Sequence, residues 1–89
     1  MFMAENKEGL LAYNAGTEKF EFYSDRYKHT DGSFCCGSVM EIYLGLEWKR
    51  TRLEHNGAEW YLVGTGLMGK KLENQKIRIK TFNGSLLPF

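Results

Sequence analysis

The most reactive side chains of this sequence stand in the segment GSFCCGS, residues 32–38, where Cys35 and Cys36 are adjacent. His29 and His55 are the only imidazoles of the chain. A structural zinc site usually takes four ligands in two spaced pairs, and adjacent residues of a strand point to opposite sides. A disulfide between adjacent cysteines closes a strained ring. We therefore expect no metal, no cofactor and no redox centre, with one cysteine packed inward and the other facing outward or lying under a neighbouring loop.

Patterns typical of catalysis are also missing from the sequence. It has no grouping of Ser, His and Asp, no phosphate-cradling glycine loop and no G-x-G-x-x-G after a strand. The carboxylates of Glu41, Glu54 and Glu59 can approach one another in a small barrel, but like-charged pairs on exposed sheet faces are commoner than acid and base dyads. A barrel of this size mostly fills its interior with its own side chains. The sequence predicts that the protein is not an enzyme.

One group of side chains remains as a candidate binding surface. Arginine stacked on aromatic rings beside further cations can hold a phosphate backbone or an acidic peptide. Strand alternation places such residues on one outward face, which comprises Trp48, Arg50, Arg52, Tyr61, Lys76, Arg78 and Lys80. The competing interpretation is a solvated face in which Arg52 stacks on Tyr61 and pairs with Glu54 or Glu59.

Among the elements that must position this face, residues 46–64 give the clearest pattern. Two alternating runs flank Asn56-Gly57, a pair typical of a two-residue type I′ turn. Such a turn opposes His55 with Ala58, Leu53 with Trp60 and Thr51 with Leu62 on the core side, and Glu54 with Glu59, Arg52 with Tyr61 and Arg50 with Val63 on the other. Opposed carboxylates repel, although Arg52 lies diagonal to Glu59, so a longer loop is the alternative. We expect Trp60 in the core.

Alternation of polar and apolar residues predicts the other strands. They cover residues 9–14, 19–24, 38–44 and 76–82. The side chains expected on their inner faces are Phe20, Phe22, Met40, Ile42, Leu44, Ile77, Ile79 and Thr81. A short strand or helical turn is expected around Leu67 to Leu72, and residues 83–89 add a short strand or a docking segment.

This succession of short strands predicts an all-β fold. No stretch of ten or more residues keeps a helical period, and five to six short antiparallel strands favour a meander curled into a partly open SH3-like barrel. With 89 residues, of which 43% are hydrophobic, the chain can form one core and not two. We expect a single domain over residues 1–89, with residues 1–8 and 83–89 as flexible or loosely docked ends.

Charge and targeting signals bear on location and partners. The net charge is only +1, but residues 1–45 carry −3 and residues 46–89 carry +4. No signal peptide is recognisable, no apolar run approaches the roughly 18 residues of a membrane span, and two adjacent cysteines make no disulfide framework. We expect a cytoplasmic protein that binds another protein and no membrane. Weak nucleic-acid binding through the basic face is the alternative.

The oligomeric state is left open by the sequence. A small barrel often leaves one edge imperfectly closed, and such an edge can pair with a second copy. We expect either a monomer or a homodimer joined edge to edge through residues 38–44 or 76–82.

The succession CCGSVMEI, EWKRTRLE, WYLVG and IRI resembles DUF5348, a family of short bacterial proteins of unknown function found mainly in Firmicutes. The resemblance covers about residues 9–80 and rests on Cys36-Gly37, Glu41-Ile42, Trp48 with Thr51 to Glu54, Trp60 to Gly64, and Ile77 to Ile79. Cys35 is added, and Asn74 stands where a glycine is expected before the last strand. Asn is the least costly substitute if that turn needs a left-handed residue. The resemblance implies a Gram-positive source and a small β protein, with no activity to carry over.

Overall fold

The structure, a computed structural model, describes residues 5–24, 33–82 and 85–87. Its strands are β1 (Glu5–Asn14), β2 (Lys19–Tyr23), β3 (Ser38–Leu44), β4 (Glu47–His55), β5 (Trp60–Leu62), β6 (Lys76–Phe82) and β7 (Ser85–Leu87). One 3₁₀ turn, Gly69–Leu72, lies between β5 and β6. The predicted all-β fold is confirmed, and β3 and β6 have the predicted bounds. Strand β1 begins at Glu5, four residues before the predicted start.

The strands form one antiparallel sheet in the order β2-β1-β6-β3-β4-β5, and β7 pairs with β6. The end strands β2 and β5 do not pair with each other, so the sheet curls without closing. This agrees with the expected partly open small barrel. The strand order differs from a simple meander, because β6 lies between β1 and β3. The 3₁₀ turn carries the chain from β5 back to that position.

Side chains from strands β1 to β6 meet in one core. The buried apolar residues are Leu11, Phe20, Phe22, Phe34, Met40, Ile42, Leu53, Leu62, Leu72, Ile77 and Ile79. These include the side chains predicted for the inner faces of β2, β3 and β6, except that Leu44 is only partly buried and the side chain of Thr81 lies outside the described residues. Thr51, the buried polar residue, donates its hydroxyl to the carbonyl of Val63 at 2.8 Å, which removes the cost of burying it.

The loop between β4 and β5 contains four residues, so the two-residue register is wrong and the alternative of a longer loop is confirmed. His55 pairs with Trp60 and Leu53 pairs with Leu62. The side-chain oxygen of Asn56 accepts the backbone N–H groups of Ala58 and Glu59, each at 2.9 Å, which stabilises the longer loop. Because the register shifts by two residues, each side chain keeps its predicted face. In the observed register Glu54 is paired with Tyr61, so it no longer stands opposite Glu59 as it would in the shorter hairpin.

The two cysteines also pack differently from the prediction. Cys35 and Cys36 are both exposed free thiols in a turn before β3, so neither packs inward as expected. Phe34 is the residue of this segment that enters the core, at 2% exposure. Its N–H donates to the carbonyl of Phe20 at 2.9 Å, which attaches the segment to β2. Phe34 therefore takes the inward position that was expected for a cysteine.

Trp60 lies at the border of the core and is half-buried, less deeply than predicted. Its ring packs edge-on against His55, with ring centres 4.9 Å apart. Its indole N–H donates to the carbonyl of Glu18 at 3.1 Å, joining the β4–β5 hairpin to the turn between β1 and β2. The polar edge of the indole thus keeps the ring near the surface.

Candidate protein-binding face

The outer side of the sheet carries a row of alternating charges across four neighbouring strands. Glu8 on β1 is paired with Arg78 on β6, Arg78 with Glu41 on β3, and Glu41 with Arg50 on β4. Side chains directly opposite on one face of a sheet are close enough to interact. Charge alternation therefore stabilises the pairing of β6 between β1 and β3.

Arg78 is the centre of this row. Its guanidinium makes an ion pair with Glu41 through Nη2 and Oε1 at 2.6 Å, and Nε donates to the same oxygen at 2.7 Å. Both side chains are mostly buried, with 27% and 21% of their surface exposed. The guanidinium also lies over the ring of Trp48 on β4, with Cζ 4.3 Å from the ring centre. A half-buried arginine that pairs and stacks at once has little freedom to move.

An aromatic pair stands beside this arginine. Tyr43 on β3 and Trp48 on β4 are opposed in the sheet, and their rings meet edge to face at 5.2 Å. The ammonium of Lys76 lies over both rings, 5.2 Å from the centre of Tyr43 and 5.8 Å from that of Trp48. Cations within about 6 Å of a ring centre are attracted to its face. We call the group formed by Tyr43, Trp48, Lys76 and Arg78 the cation–aromatic cluster.

The other cations of this face differ in their partners. Arg52 donates from Nε to Oε2 of Glu54 at 3.2 Å. Glu54 is one of the two carboxylates predicted to pair with Arg52, but Arg52 stacks on no described ring. Arg50 is exposed and Lys80 is half-buried, and neither side chain has an ion pair or hydrogen bond with another described residue. Across β6, β3 and β4 the face thus carries five cations and two carboxylates, a net charge of +3, which Glu8 on β1 reduces to +2.

The seven residues predicted as a binding surface are therefore only partly brought together. Trp48, Lys76 and Arg78 are in contact, and Arg50 lies beside them through its pairing with Glu41. The remaining members, Arg52, Tyr61 and Lys80, stand at the border of this group. Tyr61 is half-buried and pairs with Glu54 on β4 and Met68 beyond the sheet. The sequence interpretation omitted Tyr43 and Glu41, although strand alternation placed both outward.

The groups considered for catalysis or metal binding are dispersed. Glu41 pairs with Arg78, Glu54 pairs with Arg52, and the Glu59 carboxylate lies beside Gly69. Over residues 5–24, 33–82 and 85–87, no group of three or more His, Cys, Asp or Glu side chains is arranged to hold a metal ion. His29 lies outside the described residues. The same part of the chain contains no helix of the length and hydropathy that crossing a membrane requires.

Fold and face together define a small, open, all-β barrel with a cationic and aromatic outer side. The sequence model of a family described as a domain of unknown function, DUF5348, matches residues 9–79. The match covers most of the 89-residue chain, and the protein belongs to this family. No curated protein and no solved structure matches the chain.

Proposed function

We propose that this domain is a non-catalytic module that binds another protein, and that it holds an acidic segment of that protein on the cation–aromatic cluster. The observation that carries the proposal is the outer face of β6, β3 and β4, with its net charge of +3. Arg50 stands opposite Glu41 but forms no ion pair with it, and Lys80 forms no ion pair with a described residue, so both charges are available to a ligand. Aromatic and arginine side chains are the residue types enriched where proteins bind one another.

The turn between β3 and β4 adds an apolar contact beside the cluster. Leu46 stands at this turn, two residues before Trp48, and is 87% exposed. Its backbone is in the left-handed region, with φ of 68°, which costs a leucine about 1–2 kcal/mol. A strained and exposed leucine two residues from Trp48 favours a partner that combines apolar with acidic side chains.

The cations lying over the Trp48 ring favour protein binding over nucleic-acid binding. Single-stranded nucleic acid binds such surfaces by stacking its bases on open ring faces. Here Arg78 and Lys76 both lie over the Trp48 ring, so a base competes with two cations for its faces.

The test is affinity capture from cells of the source organism with three matched baits. The first is the natural domain, and the second carries Arg50→Glu with Lys80→Glu, two cations without a described partner. The third carries Lys49→Glu with Lys71→Glu, which lie outside the face and change the net charge equally. We expect a partner protein to be retained by the first and third baits and lost from the second.

Equal recovery on all three baits would contradict the proposal. Nucleic-acid binding is tested on the same variants with a fluorescent single-stranded oligonucleotide. If its affinity falls steeply with salt and disappears only in the Arg50→Glu, Lys80→Glu variant, the face binds nucleic acid and the protein-binding proposal is wrong.

A further inference from the structure

A groove opens between the two ends of the sheet, which do not pair with each other. It has a volume of about 480 Å³, which lies within the range of about 300–1,000 Å³ usual for ligand sites. Three parts of the chain line it: the β1–β2 hairpin, the β4–β5 hairpin and the 3₁₀ turn with Glu73 after it. Its lining includes Tyr13, Glu59, Trp60, Gly69, Lys70 and Glu73, and we call this site the Trp60 groove.

The aromatic walls of the groove are held in place before any ligand arrives. Tyr13 is 44% exposed and rests against Phe20, with ring centres 5.1 Å apart. Trp60 is fixed by its hydrogen bond to the Glu18 carbonyl and by its edge contact with His55. Rigid walls of this kind lower the entropy cost of binding, because no side chain has to be ordered when the ligand enters.

Two carboxylates lie at the same groove. Oε2 of Glu73 accepts the backbone N–H of Tyr13 at 2.8 Å, which fixes the carboxylate and leaves Oε1 without a described partner. The carboxylate of Glu59 lies beside Gly69, with Oε1 3.1 Å from the position that a β-carbon would take there. Among the described residues, neither Glu59 nor Glu73 forms an ion pair, although Lys70 also lines the groove.

We propose that the Trp60 groove binds an arginine side chain of a peptide segment from another protein. A guanidinium is planar, stacks on aromatic faces and pairs with carboxylates, and this groove offers two rings and two unpaired carboxylates. Its net charge of −1 is opposite to that of the outer face, so the two sites select different partner segments. The groove is formed by residues distinct from the cation–aromatic cluster and does not depend on the function proposed for that cluster.

The experiment is an NMR titration of the ¹⁵N-labelled domain with an acetylated and amidated peptide, Gly-Ser-Arg-Ser-Gly. Its control is the same peptide with citrulline, which keeps the shape of arginine and lacks the charge. We expect saturable shifts of the Trp60 indole N–H and of the Glu59, Gly69 and Lys70 amides. The citrulline peptide should bind at least about tenfold more weakly.

A double variant, Glu59→Gln with Glu73→Gln, should reduce the affinity for the arginine peptide to a similar extent, because glutamine can still accept the Tyr13 N–H but carries no charge. The matched control, Glu8→Gln with Glu47→Gln, changes the net charge equally and should bind as the natural domain does. Equal binding of both peptides, or no saturable shift, overturns the proposal. Trp60 shifts that depend on protein concentration without peptide also overturn it, because a second copy then fills the groove. If the Gln variant does not fold, the citrulline comparison on the natural domain decides.

Discussion

Arg78 lies on β6 and Trp48 on β4, yet the guanidinium carbon of Arg78 is 4.3 Å from the centre of the Trp48 ring. The side chain reaches across the intervening strand β3, where the same guanidinium binds Glu41. One arginine therefore connects three strands on the outer side of the sheet. In the described chain, β3 and β6 pair at two positions, Glu41 with Arg78 and Ile42 with Ile77, so this contact supports a short stretch of the ladder.

The first prediction concerns the free energy of unfolding of variants at this ion pair. Arg78→Met leaves the carboxylate of Glu41 mostly buried without its partner, and we expect a loss of about 2 kcal/mol. Glu41→Met should cost a similar amount. The double variant should cost about 1 kcal/mol less than the sum of the two, because an apolar pair replaces the ionic one. Urea denaturation measures all three, and strictly additive losses would show that the pair contributes no coupling.

The second prediction concerns the turn Gly45-Leu46 between β3 and β4. Both residues have positive φ, 58° and 68°, as a type I′ turn requires. Leu46→Gly should raise the free energy of unfolding by about 0.5–1 kcal/mol, because the relief of backbone strain exceeds the added entropy of the unfolded chain. Gly45→Ala should lower it by about 1 kcal/mol for the opposite reason. In the capture experiment Leu46→Gly should retain less partner, and unchanged retention would remove Leu46 from the proposed interface.

Local patterns in the sequence were sufficient to predict most of the fold. Strict alternation gave the inner and outer faces of β3 and β6, because side chains on a strand alternate with a period of two. The β4–β5 register was not predictable in the same way. It depends on Asn56 accepting two backbone N–H groups, and the dipeptide Asn56-Gly57 is equally compatible with the shorter turn. The inner and outer faces of β4 and β5 were still predicted correctly, because the register shifted by two residues and side chains alternate with a period of two.

Features formed by distant parts of the chain were less predictable. The insertion of β6 between β1 and β3 is a non-local pairing, and no neighbouring residues encode it. The burial of Phe34 in place of a cysteine likewise depends on its attachment to β2. The Trp60 groove could not be recognised from sequence, since it joins three segments where the sheet stays open. The outer face was partly predictable, because parity alone places Trp48 and Arg78 on one side.

The third prediction concerns Asn74, in the turn before β6. Asn74 adopts the left-handed conformation with φ of 65°, the case in which asparagine is the least costly substitute for glycine. Its N–H donates to the carbonyl of Leu11 at 2.8 Å, a bond that any residue other than proline can make. Asn74→Gly should therefore be neutral or stabilising by up to about 0.5 kcal/mol, whereas Asn74→Ala should cost about 1 kcal/mol. Thermal denaturation distinguishes them, and equal melting temperatures would mean that the turn rearranges.

The fourth prediction concerns the contact by which Trp60 holds the β1–β2 turn. Trp60→Phe keeps an aromatic wall but removes the indole N–H that donates to the carbonyl of Glu18. The free energy needed to open the turn should therefore fall by about 1 kcal/mol. The amides of Gly16 and Thr17, both bonded to Asn14, report this opening through hydrogen exchange. Their exchange should become about fivefold faster, since 1 kcal/mol corresponds to about that factor. Trp48→Phe is the matched control, because the indole N–H of Trp48 has no described partner and Trp48 lies far from the β1–β2 turn in the strand order. Equal acceleration of exchange in both variants would show that the effect is a general loss of stability.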